Sequence, residues 1–150
     1  MSIKKPDDFK LYCIIYQPLV LMTSRQCLFH QVSGCEKHSM DDSCIPQCEK
    51  HSTISNLKKE TFIIEKTKGN YHSLYSGSNM LNTDVVTDIP NLFSSFFIDL
   101  SDIKTETKIE KDKASIIELF KKHLSGDSES TQELHHIIHL SNNIQYKVGI

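Results

Sequence analysis

The sequence has no tryptophan, no long apolar run and no excess of basic residues. A helix that crosses a bilayer needs about 20 mostly apolar residues. The best run here, residues 11–22, is shorter and is broken by Gln17-Pro18, which excludes a helical span there. The formal charge of −2 and the scattered lysines lack the clustered basic footprint of a nucleic-acid module, so a solvated surface is the simpler reading. The opening Ser2-Ile-Lys-Lys-Pro-Asp-Asp8 has no apolar h-region or small-residue cleavage site, which predicts a cytoplasmic chain without membrane association. Apolar residues make up 38% of the total, below the usual share of about 45–50%. With 150 residues, that content supports one ordinary domain with a modest core, or one part of a larger core.

What is present is a series of short extended pieces followed by helices. Residues 10–22 hold two nearly continuous apolar runs, Leu11, Cys13, Ile14 and Ile15 before Pro18, and Leu19 to Met22 after it. Such runs suit strands buried on both faces, and Pro18 marks an edge, a bulge or a break. Thr61-Phe-Ile-Ile-Glu-Lys66 and Phe96-Phe-Ile-Asp-Leu100 are further strand candidates, with turns at Lys68-Gly-Asn-Tyr-His72 and Tyr75-Ser-Gly-Ser-Asn79 between them. Val85-Val86 starts another extended piece that Pro90 ends, and residues 91–95 are expected to make a helical turn.

From about residue 102 the charge density rises. Asp112 then caps a helix whose apolar stripe is Ile116, Leu119, Phe120 and Leu124, ended at Gly126. Ser130 and Glu133 have capping-box spacing for a second helix carrying Leu134, Ile137 and Ile138. Strands first and amphipathic helices last predict an α+β fold, or the tail of an α/β fold. The division is expected near residue 108, with 1–108 built around the cysteines and 109–150 as a helical tail. The strands are apolar on both sides and few elements exist to cover them, the pattern of a piece that sits against something larger.

Four of the five cysteines fall in one stretch, and Cys27, Cys35, Cys44 and Cys48 are separated by seven, eight and three residues. His30, His38 and His51 lie in or beside it. In a reducing compartment, clustered thiols read as metal or cofactor ligands before disulfides. A four-thiolate set holds zinc tetrahedrally or anchors an iron–sulfur cluster. Zinc ribbons usually bring paired C-x(2–4)-C knuckles, and here Cys44 and Cys48 make such a pair while Cys27 and Cys35 arrive singly. A cluster is wider than one zinc ion and accepts ligands from separate turns, so the spacing leans towards a cluster and leaves zinc open. The three histidines are alternative ligands, although a solvated loop histidine is commoner. Cys13, inside an apolar run, reads as a small buried residue.

The stretches Pro18-Leu-Val-Leu-Met-Thr-Ser-Arg-Gln-Cys27, Cys44-Ile-Pro-Gln-Cys48, Phe62-Ile-Ile-Glu-Lys66, Leu81-Asn-Thr-Asp84 and Phe97-Ile-Asp-Leu-Ser-Asp-Ile-Lys104 follow in that order. Over residues 10–108 this combination resembles the collagenase-like peptidase U32 family, which includes iron–sulfur proteins implicated in hydroxylating RNA bases and quinone precursors. The resemblance implies a 4Fe–4S cluster on Cys27, Cys35, Cys44 and Cys48. Val20 stands where the family's first cysteine would be, Tyr12 at its glutamate and Gln17 at a glycine. Cys35 is therefore the expected fourth ligand, and the peptidase-type signature is absent. The resemblance also implies the C-terminal portion of a larger barrel-type protein, completed by an upstream barrel-containing chain or partner subunit. RNA or a small planar substrate would be the partner of the full-length protein, with this chain inactive alone. Asp99 occupies the family's acidic strand position and is the catalytic candidate. The alternative is a small zinc-binding structural or interaction module without catalysis.

Other chemistry-bearing residues are less directed. Asp84, Asp88, Asp99 and Asp102 are carboxylates for acid–base work, although an acid at a strand end is more often structural. Tyr71 and His72 beside a turn are candidates for lining a pocket. In Leu134-His-His-Ile-Ile-His139, His135 and His139 are four apart on a helix face, but the glutamate of H-E-x-x-H is lacking. An exposed polar face is the simpler expectation for that run.

Overall fold

The computed structural model describes Pro6, residues 8–33, Cys44, and residues 52–67, 71–89 and 91–148. Cys35, Cys48, His38 and His51 lie outside the described residues. In chain order the described elements are β1 (Tyr12–Gln17), β2 (Val20–Ser24), α1 (Leu28–Ser33), β3 (Ser52–Ser55), β4 (Thr61–Thr67), β5 (Tyr71–Ser76) and β6 (Met80–Leu81). Then follow α2 (Asp84–Asp88), β7 (Ser95–Ile98), β8 (Lys108–Ile109), α3 (Lys113–Leu124), α4 (Ser128–Ile137), β9 (Ile138–His139) and α5 (Ile144–Val148). Strands precede the two longer helices, so the α+β expectation holds, and no closed barrel is formed among the described residues.

Pro18 divides the first apolar run between two sheets, since a residue without an N–H cannot continue a ladder. Before it, β1 is the middle of a three-stranded sheet in the order β6-β1-β7, antiparallel to β6 and parallel to β7. After it, β2 is the edge of a four-stranded antiparallel sheet in the order β2-β5-β4-β3. The link between them is fixed by the Ser76 N–H, which donates to the Leu19 carbonyl at 2.9 Å.

The pairing of β1 with β7 shifts register between Ile14 and Tyr16. Such a bulge puts two residues against one on the partner strand and breaks the strict alternation of faces. As a result Ile15 and Tyr16 are both buried, at 0% and 1% exposure. They join Leu81, Val85, Ile116, Leu119, Phe120, Leu134, Ile137 and Ile138 in one hydrophobic cluster. That cluster draws on both sides of residue 108, and β8 pairs with β9, so the helical hairpin is packed directly against the first sheet.

The expectation of strands buried on both faces is not met. Tyr12, Ile14 and Phe97 share the outer face of the β1–β7 pair and stay about half exposed, as do Val20, Leu21 and Met22 on β2. The helices cover only the inner face, so the second apolar face has no cover among the described residues. Tyr12 and Phe97 lean on each other instead, with ring centroids 5.4 Å apart.

Three local expectations are corrected. Val85-Val86 is not extended but belongs to the short helix α2. The Asn82 side chain accepts the Val85 N–H at 3.2 Å and Val85 is driven into the core, which together outweigh the extended preference of two β-branched residues. Ser130 is not the cap of α4. Asp127 caps it by accepting the Glu129 N–H, while Ser130 lies inside the helix, buried, donating to the Asp127 carbonyl. Residues 91 and 92 make a turn rather than a helix, with Asn91 in the left-handed region at φ 69°. In α3, by contrast, Asp112 accepts from the Ala114 and Ser115 N–H groups as expected, and Gly126 takes the left-handed conformation (φ 93°) that ends the helix.

A buried asparagine ties the sheets to the C-terminal segment. Asn79 donates from Nδ2 to the Tyr16 hydroxyl at 2.7 Å and accepts at Oδ1 from the Thr105 hydroxyl at 2.7 Å. Its backbone N–H donates to Thr107 Oγ1, and its carbonyl accepts the Asn142 N–H at 3.0 Å. Truncation leaves the buried Tyr16 hydroxyl without its donor, and an unsatisfied buried polar group costs about 1–3 kcal/mol. Asn79→Ala is therefore expected to lower the unfolding free energy by that amount, read as a lower urea midpoint at unchanged m-value. A midpoint equal to wild type would show that the Tyr16 hydroxyl does not need Asn79.

Candidate metal or cofactor centre

Among the described residues, Cys27 and Cys44 of the cysteine stretch contact the four-stranded sheet. In the four-stranded sheet Ser24 on β2 pairs with His72 on β5, and His72 pairs with Lys66 on β4. Directly paired residues share a face, with Cβ atoms about 4.5–5.5 Å apart. At this end of the sheet the chain leaves β2, turns through Arg25-Gln26 and enters α1 just after Cys27. The Gln26 N–H donates to Ser24 Oγ at 2.9 Å, which fixes that turn.

Two of the four cysteines fall within the description, and both approach this sheet end. Cys27 is half-buried, with Sγ 3.8 Å from Nε2 of His72. Cys44 is buried at 6% exposure, and its carbonyl accepts a 2.8 Å hydrogen bond from the Lys66 ammonium. His72 and Lys66 are register partners, so Cys27 through its thiol and Cys44 through its carbonyl each contact a residue of one sheet face. Cys27 and Cys44 are both free thiols.

His72 is the residue that sequence reasoning placed only beside a turn. It is 1% exposed, and the Phe29 ring stands edge-on to it at 5.1 Å. Its Nδ1 is buried and has no hydrogen-bond partner among the described residues. Burial, and then the nearby Lys66 charge, pull its pKa below the ordinary histidine value, so the ring is neutral and a potential donor or ligand. At the same end Arg25 donates from Nε to the Tyr71 hydroxyl at 3.0 Å and lies over the Tyr71 ring, 5.3 Å from its centroid. Arg25 and Lys66 are two cations at this end of the sheet among the described residues.

The remaining sequence candidates fall elsewhere. His30 is exposed on α1. Cys13 is half-buried against the main core; burial pushes its thiol up, and its Sγ lies 3.6 Å from the Ile14 carbonyl. Asp99 is exposed just beyond β7 and accepts the Ser101 N–H at 2.8 Å, a turn-forming contact. Asp84 receives Asn143 and Lys147, Asp88 receives the Tyr146 hydroxyl at 2.9 Å, and Asp102 faces Lys113. These carboxylates make surface contacts with α5 and α3.

The exposed polar face expected for this run is met at His135 and His136, but His135 and His139 do not share a helix face. The helix ends at Ile137, and His139 belongs to β9. His135 points instead to Thr83, with Nε2 2.9 Å from its hydroxyl, while His139 lies beside His136 and Glu110.

Next to His135 lies a histidine that the apolar pattern concealed. Positions 116, 119, 120 and 123 form the buried stripe of α3, so His123 is buried at 4% exposure, whereas Leu124 is 40% exposed. His123 Nδ1 bonds Thr131 Oγ1 at 2.8 Å, and Nε2 has no partner among the described residues. Burial lowers its pKa below 6.5; the Thr83 backbone and the Asp84 carboxylate oppose this in part, and His135 adds to it. Because the folded value is depressed, the stability due to neutral His123 is present above the unfolded value and is lost as pH falls from about 6.5 towards the lower folded value. The melting temperature should therefore fall more steeply between pH 7.5 and 5 in wild type than in His123→Gln. Parallel curves would show that His123 is not held neutral.

Comparison of the chain with protein-family models, with curated proteins and with solved structures gave no match.

Proposed function

We propose that the chain holds a 4Fe–4S cluster through Cys27, Cys35, Cys44 and Cys48, as part of a U32-like protein that hydroxylates an RNA base or a quinone-type precursor. The observation that carries the cluster reading is the approach of Cys27 and Cys44 to His72 and Lys66, partners on one sheet face. The fit is supported further by the orphaned Nδ1 of buried His72 and by the cationic Lys66 and Arg25 at that end. Thiolate-bound clusters are anionic and are tuned by neighbouring donors and by exclusion of water. Once bound, the cluster supplies one-electron redox chemistry. The chain's own contribution is to offer the thiolates, to set His72 Nε2 against Cys27 Sγ, and to shield that contact with Phe29.

The wider assembly is supported by the uncovered face of the first sheet. That face of the β1–β7 pair is apolar and has no cover among the described residues, and a contiguous exposed apolar patch marks an interaction surface. Tyr12, Ile14 and Phe97 are the residues an upstream barrel-containing segment or partner subunit would cover. In this reading the chain alone lacks the substrate-binding part and has no activity, and the cytoplasm is the compartment that suits free thiols.

One observation favours a second reading, a zinc-stabilised module without catalysis. His72 Nε2 lies beside Cys27 Sγ, and mixed cysteine and histidine sets are what structural zinc sites use. Anaerobic purification followed by metal analysis and a visible spectrum separates the two. A brown chain with about four irons, bleached on reduction, supports the cluster. A colourless chain with a single zinc supports the module, and a chain free of both metals contradicts each.

A further inference from the structure

At the opposite end of the chain from the cysteines, the strand pair β8–β9 brings together two imidazoles and a carboxylate. Ile109 pairs with Ile138, and the Glu110 N–H continues the ladder by donating to the Ile137 carbonyl at 3.1 Å. Glu110 is thereby fixed alongside the junction of α4 and β9. His136 comes from the last turn of α4 and His139 from β9, with ring centroids 5.7 Å apart at 61°. Glu110 Oε1 lies 3.1 Å from His139 Nε2. One donor atom from each of the three residues falls within 4.8 Å of the other two.

We propose that Glu110, His136 and His139 form a binding site for a zinc-class divalent cation, separate from the cysteine centre. Two imidazoles and one carboxylate are a donor set used for zinc and for other first-row metals, with water completing the shell. Zinc–ligand bonds are about 2.0–2.2 Å, so the three donors need only small side-chain rotations to converge on one ion. Glu110 and His136 are exposed and His139 is half-exposed, which leaves room for that movement and for an open coordination position. The backbone is already ordered by the β8–β9 pair, so little of the chain has to be fixed on binding. Of the adjacent cations, Lys111 is engaged by Glu133, while Lys108 pairs with His139 across the β8–β9 ladder and is the charge a bound cation has to displace or screen.

Cobalt(II) titration of the full chain tests this independently of the cysteine reading, because thiolate ligation gives strong near-ultraviolet charge-transfer bands and nitrogen–oxygen ligation does not. We expect one equivalent of cobalt to bind without thiolate bands and to be displaced by zinc. His136→Ala and His139→Ala should each weaken that equivalent by about tenfold or more, comparable at least to the 10–100-fold cost of losing an outer-shell partner. Glu110→Gln should weaken it less, and Cys44→Ser should leave it unchanged. Melting in metal-free buffer checks that the variants fold. Absence of the equivalent in wild type, or its survival in both folded histidine variants, would overturn the proposal.

Discussion

Cys44→Ser, prepared anaerobically beside wild type, is expected to retain at most about a tenth of the wild-type iron, since even outer-shell changes cost 10–100-fold in metal binding. Cys44 is the sharper test of the pair because it is buried and its carbonyl is held by Lys66 at 2.8 Å. Serine is nearly the same size and leaves that backbone contact in place, so the metal-free forms should melt alike. Loss of metal with unchanged apo stability identifies a ligand. Equal iron in both proteins would show that Cys44 is only a small buried residue. His72→Gln distinguishes the two occupants. With a cluster it should shift the reduction potential and keep the iron, whereas with a cysteine–histidine zinc set it should lose zinc.

Phe120→Ala is the second large effect, expected to cost about 3–5 kcal/mol. The Phe120 ring is 2% exposed and lies 6.0 Å from the Tyr16 ring, in the cluster that joins α3 and α4 to the β1 sheet. Domains of ordinary stability have about 5–15 kcal/mol in total, so the variant should be close to unfolding at room temperature. Fluorescence from the tyrosines and helical circular dichroism should report one shared transition in wild type, shifted as a unit in the variant. If the helices melted separately with the sheet signal unaffected, the hairpin would be an appendage and the common core would be refuted. Leu134, 0% exposed in the same cluster, makes the corresponding contact from α4.

These contacts also show how far the sequence could be read. The break at Pro18, the strand over residues 61–66 and the capped helix from Asp112 to Gly126 follow from local chemistry, and local chemistry decided them. The stripe of α3 was legible in its spacing but not in its membership. Periodicity places position 123 inside, and the residue there is histidine, so apolar type pointed to Leu124 instead. Val85-Val86 became helical because Asn82 supplied an N–H acceptor and the core took Val85. Capping-box spacing pointed to Ser130, but Asp127 caps α4 and Ser130 is buried one turn inside it.

The cysteines were legible as a group, and their neighbours were not. His72 reaches Cys27 only through the β2–β5–β4 register, a long-range pairing that no short motif encodes. Lys66, the register partner of His72, meets the Cys44 carbonyl, a contact that no short motif encodes either. The replacement of His135 by His136 beside His139 has a comparable origin. Helical spacing assumed that α4 runs through His139, whereas β8 captures Ile138 and His139 as a strand.

The central claim is that Cys27, Cys35, Cys44 and Cys48 bind one group together. Site-resolved alkylation of the metal-loaded chain and of the chelated chain, read cysteine by cysteine by mass spectrometry, tests it most directly. All four should be protected when loaded and should become labelled together on chelation, while Cys13, packed against the core, labels equally in both. Labelling of any of the four at the same rate with and without metal would remove that residue from the site, and unchanged labelling of all four would contradict the account.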